Sequence, residues 1–105
     1  MGRGDESMFN NTTEYKKAMC IALKCIKSGD KSFSYLYLIY NDIDAYDAIK
    51  RCIDLEFIED MAYEIKAKKI ILFYDENPRL SYEGLEFLEN NGFGTEDIPV
   101  VINTV

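Results

Sequence analysis

The amino-acid sequence predicts a small α+β fold: three helices, a β-hairpin and a closing helix. Three observations lead there. Apolar residues recur at helical spacing over residues 12–28 and 44–56. Two β-rich runs, 58–65 and 69–75, flank the short segment Lys66-Ala67-Lys68. A capped amphipathic stretch then follows at 81–91. With 105 residues, 48% of them apolar, the chain fits one domain around one small core.

Helix 1 is predicted over residues 12–28. Asn11 or Thr12 caps it, and Glu14 is placed for a capping box. Tyr15, Ala18, Met19, Ala22, Cys25 and Ile26 form its apolar stripe, and Gly29 is the natural stop. Lys31–Ser34 is a candidate short strand. SYLYLIYND, residues 34–42, alternates as a strand does and is β-prone, yet it also reads as a short buried helix. Its place between two helices, ahead of the tight turn at 41–44, gives helix-turn-helix spacing, so a short helix is expected. Helix 3 is expected to start at Asp44 as N-cap, with Asp47 in the first turn, and to run to about Glu56.

The two strands follow, the second broken by Asn77-Pro78. In helix 4, Ser81 is the expected N-cap. Leu80 and Leu85 are spaced as a hydrophobic staple, and Tyr82, Leu85 and Leu88 share one face. Gly84 inside a helix costs about 1 kcal/mol against Ala, which implies close approach of another backbone. The ends read differently. Residues 1–7 look like a cloning remnant or a disordered N-terminus, and 8–92 form the domain. Residues 93–105 are an apolar tail suited to packing back on the domain or pairing with another chain.

Composition narrows the chemistry. The chain has no His, which removes the commonest general base near neutral pH. No glycine-rich phosphate loop accompanies its acids, so a non-enzymatic protein without cofactors is expected. The three cysteines, Cys20, Cys25 and Cys52, form no C-x-x-C pair. On a helix Cys20 and Cys25 lie roughly 140° apart, so no metal site is expected and buried free thiols in a reducing cytoplasm are. No stretch approaches the roughly 20 apolar residues of a membrane span.

The order helix, helix, helix, hairpin, helix is that of a winged helix. DAYDAIKRCIDLEFIED, residues 44–60, resembles the third helix and wing entry of winged-helix proteins. PRLSYEGLEFLENNG resembles the pxLTxxGxxyLxxN segment that follows the wing in the YjcQ-type family of small phage- and prophage-associated winged-helix proteins. Leu80, Ser81, Gly84, Phe87, Leu88 and Asn91 match it, with Ser81 in place of the usual Thr. The resemblance covers roughly residues 12–92. It implies a DNA-binding or regulatory role in the cytoplasm of a bacterial or phage-infected cell.

Charge pulls two ways. Residues 44–63 carry two bases and six acids, and residues 80–105 carry five acids and no base, within a net charge of −7. Lys50 and Arg51 on helix 3, with Lys66, Lys68 and Lys69 at the wing tip and Arg79 near it, are the candidate nucleic-acid contacts. The acidic helix with exposed tyrosines suits instead a basic protein surface, through Tyr46, Asp47, Asp54 and Glu56. DNA is the leading partner and a basic protein surface the alternative. Homodimerisation through helix 1 or the tail is compatible with both.

Overall fold

In the computed structural model, α1 spans Thr12–Lys27 because both of its ends are chemically closed. The Asn11 side chain accepts the Glu14 backbone N–H at 2.9 Å. At the other end Gly29, at φ 92°, sits just past the last turn. Gly29 N–H donates to Ile26 and Asp30 N–H to Cys25, which satisfies the orphan carbonyls. The structure describes Phe9 and residues 11–91. The expected remnant at 1–7 and the apolar tail at 93–105 lie outside the described residues.

No strand forms at residues 31–34. Asp30 is buried and turns the chain instead: its carbonyl accepts from Phe33 N–H, and its carboxylate accepts from Tyr35 N–H at 3.1 Å. Phe33 takes a left-handed backbone, φ 58°. That costs about 1–2 kcal/mol, and complete burial of its ring, worth about 2–3 kcal/mol, offsets it. SYLYLIYND then resolves as helix: α2 is Ser34–Ile39.

The third helix, α3, is Asp42–Asp54. Its N-cap is Asn41 and not Asp44. The Asn41 side chain accepts the Asp44 N–H at 2.8 Å, which puts Asp42 and Asp44 in the first turn, where the helix dipole favours acids. The helix ends in a Schellman arrangement, with Glu56 N–H on Ile53 and Phe57 N–H on Cys52. Glu56 occupies the left-handed position usually held by Gly, φ 63°.

β1, Ile58–Lys66, and β2, Lys69–Leu80, form a two-stranded antiparallel hairpin. Asn77-Pro78 does not end β2. Pairing is interrupted between Glu59 and Met61 and resumes with Glu59 opposite Arg79 and Ile58 opposite Leu80. Pro78 is buried in that bulge, where its missing N–H leaves no ladder bond unmade. Helix α4, Tyr82–Asn91, closes the chain.

The core is built around α1, whose apolar stripe lies inside the chain against α3, α2 and α4. A dimer through that stripe would therefore require the core to open. Leu23, Phe33, Leu36, Ile49, Cys20 and Cys52 are fully buried. On α4 the inward face is Gly84 and Leu88; Tyr82, expected to share it, is 73% exposed. The fold is α+β, with helices and one antiparallel hairpin. Among the described residues no helix is long and apolar enough to cross a membrane.

Candidate macromolecular interface

The hairpin reverses through two residues, Ala67 and Lys68, at φ 52° and 66°. Two consecutive positive φ angles are the mark of a tight turn whose twist matches the strands, and such turns favour Asn and Gly. Lys66 and Lys69 pair across the ladder immediately below it. Three exposed lysines therefore crowd one tip, one of them in a backbone region that glycine occupies more cheaply. Arg79, expected nearby, lies at the opposite end of the hairpin. It forms ion pairs with Asp60 at 2.6 Å and Glu59 at 2.9 Å, its register neighbours at the base.

On α3 the two cations are already engaged. Lys50 lies 3.4 Å from Asp54, one turn on. Arg51 stacks its guanidinium 5.2 Å from the centre of the Tyr15 ring and donates from Nε to the Tyr15 hydroxyl at 3.2 Å. That hydroxyl in turn donates to Asp47 at 2.6 Å, tying α1 to α3. Desolvation, then the Asp47 hydrogen bond, push the Tyr15 hydroxyl up to about 12. Phe9 stacks on Tyr15, the ring centres 4.9 Å apart.

Of the acidic candidates, Asp47 and Asp54 are similarly tied. Asp54 accepts from the Tyr63 hydroxyl at 2.8 Å, so α3 is also linked to β1. Tyr46 is half-buried, edge-on to Tyr37 at 6.1 Å. The Glu56 carbonyl accepts the Ser81 hydroxyl at 2.7 Å while its side chain is exposed. The fold thus gathers Lys66, Lys68 and Lys69 at the tip, while Lys50 is held by Asp54 and Arg51 by Tyr15.

Two features escaped sequence reasoning. Tyr15 and Tyr63 hold the acids of α3, and no local pattern marks contacts between residues so far apart in the chain. The outer face of the hairpin exposes Ile71 and Phe73 among its charged residues, and this had a signal: Ile70-Ile71-Leu72-Phe73-Tyr74 is continuously apolar, as in strands covered on both faces. Between α1, the base of β2 and α4 lies an open cleft of about 400 Å³, lined by Ile26, Lys31, Pro78, Leu80 and Leu85 among others. Lys31 bonds the Glu76 carbonyl and lies 5.8 Å from the Tyr74 ring centre, so it stays with the hairpin. Comparison of the chain with family models, with curated proteins and with solved structures gave no match.

Proposed function

We propose that this chain is a small winged helix of the YjcQ type. In this reading it is a non-enzymatic, phage- or mobile-element-associated regulator that meets nucleic acid through its hairpin tip. The observation that carries the reading is the tip itself: Lys66, Lys68 and Lys69 project together from a tight turn that would be more stable with Asn-Gly. The element order supports the scaffold, since α3 is packed on α1 and feeds directly into the hairpin. With Lys50 and Arg51 engaged on α3, contact falls on the phosphate backbone and not on base edges. Binding is then weak, sequence-tolerant and steeply dependent on salt.

Fluorescence anisotropy with a mixed-sequence duplex tests this. The account expects binding at about 50 mM salt that falls at least tenfold by about 200 mM. Lys66/Lys68/Lys69→Ala should weaken it uniformly across sequences. Absence of binding at the lower salt refutes the reading.

A second reading is favoured by one observation: both α3 cations are engaged within the fold, on a helix that carries four acids and two bases. There the helix docks on a basic protein surface with Tyr46, Asp47, Asp54 and Glu56 in contact. The two readings separate on the same variants. The tip triple substitution leaves a protein partner bound, whereas Asp54→Lys with Glu56→Lys releases it and spares the Tyr15–Asp47 bond.

A further inference from the structure

The register of the hairpin sorts its side chains into two faces. Met61, Tyr63 and Ile65 stand opposite Tyr74, Leu72 and Ile70, and Met61, Ile70 and Leu72 pack on the core. The other face carries Ala62 opposite Phe73, Glu64 opposite Ile71, and Lys66 opposite Lys69. Here Phe73 is 51% exposed and Ile71 37%. Asp75 is exposed and directly follows Tyr74, the last paired residue before the interruption, so the turn from the core-side Tyr74 to the next side chain sets Asp75 on the side of Phe73. Along β2 the face thus runs from basic Lys69, through apolar Ile71 and Phe73, to acidic Asp75, while on β1 the exposed Glu64 stands beside Ile71 and Ala62 beside Phe73.

That order is self-complementary. We propose that this face pairs with the same face of a second copy of the chain, the hairpins stacked antiparallel about a two-fold axis running across the strands at Leu72. The operation sets Ile71 over Phe73 of the second copy and Lys69 over Asp75 of the second copy, twice per dimer. Stacked sheets lie about 10 Å apart, a gap that a lysine and an aspartate reaching toward each other can bridge. The other two-fold choice, with the axis along the strands, brings tip to tip and lysine onto lysine, so charge selects the antiparallel arrangement. The pairing does not depend on the nucleic-acid reading. Where both operate, phosphate and Asp75 compete for Lys69, and nucleic acid shifts the chain toward monomer.

Sedimentation of the full chain up to about 0.5 mM tests the inference, because a dimer population rises with concentration. The expected result is a dimer that weakens with added salt. Lys69→Asp or Asp75→Lys alone should weaken it about tenfold, and the double exchange should restore it. Phe73→Ser should give a folded monomer, its side chain being half in solvent already. A chain that stays monomeric at the highest concentration overturns the proposal. So does a dimer indifferent to the single exchanges, or one that the double exchange fails to restore.

Discussion

Gly84 lies against the backbone of Phe57: a Cβ added there would stand 2.2 Å from the Phe57 carbonyl oxygen. The same carbonyl accepts the Ser81 N–H at 2.9 Å, and the Ser81 hydroxyl accepts the Gly84 N–H at 3.0 Å. The start of α4 is thereby locked to the segment joining α3 to the hairpin. Gly84→Ala gains about 1 kcal/mol of helix propensity, but overpacks rigid backbone at a cost of about 3 kcal/mol and should lower stability by about 2 kcal/mol net. Urea unfolding measures it; an unchanged or higher midpoint would show that α4 does not seat there.

Lys68 should display a conflict between stability and binding. Its left-handed backbone, φ 66°, is relaxed by Lys68→Gly, which should stabilise the chain by up to about 1 kcal/mol. The same change removes one of three tip cations and should reduce affinity for duplex nucleic acid and its salt slope by about one unit. Thermal unfolding and anisotropy on one variant read both. A stabilised variant that binds unchanged would place the contact elsewhere.

Much of the fold is legible in residue chemistry. Gly84 announced a close backbone, and the position of SYLYLIYND, more than its propensity, identified a helix. The errors have physical causes. Asn41 and Asp44 are both good caps three residues apart, and the choice falls to Asn41, whose side chain takes the Asp44 N–H. Pro78 breaks regular ladders, but a bulge absorbs it. The site was half legible: the lysines of the tip are neighbours in sequence, whereas the Tyr15–Asp47 and Tyr63–Asp54 bonds that occupy α3 arise only once the chain has folded.

The three thiols are buried and should be inert in the folded chain. Burial pushes Cys20 up to about 11 and Cys25 up to about 12, and raises Cys52 further. Cys20 also donates to the Asn91 carbonyl at 3.1 Å. A thiol-exchange reagent at pH 8 should label none of the three without denaturant and all of them with it. Rapid native labelling of any one would contradict the packing of α1.

Stability should decline in alkali. Cys20, Cys25, Tyr15 and Tyr37 all hold their protons more tightly folded than unfolded, chiefly through desolvation, Tyr15 and Tyr37 rising to about 12 from 10.0. Their contribution is complete below the unfolded values, near 9.0 for the thiols, and is lost as pH rises toward the folded ones. Chemical denaturation from pH 8 to 12 should show this fall, and Tyr15→Phe should flatten it above pH 10. A curve as steep in the variant would exclude Tyr15 as a source.

The most direct measurement is an amide chemical-shift titration of the full chain with a mixed-sequence duplex at low salt. The account predicts perturbations centred on residues 66–69, with smaller ones on the adjoining strands, vanishing as salt is raised. Absence of shifts, or shifts centred on α3 around residues 47–54 instead of the tip, would contradict it.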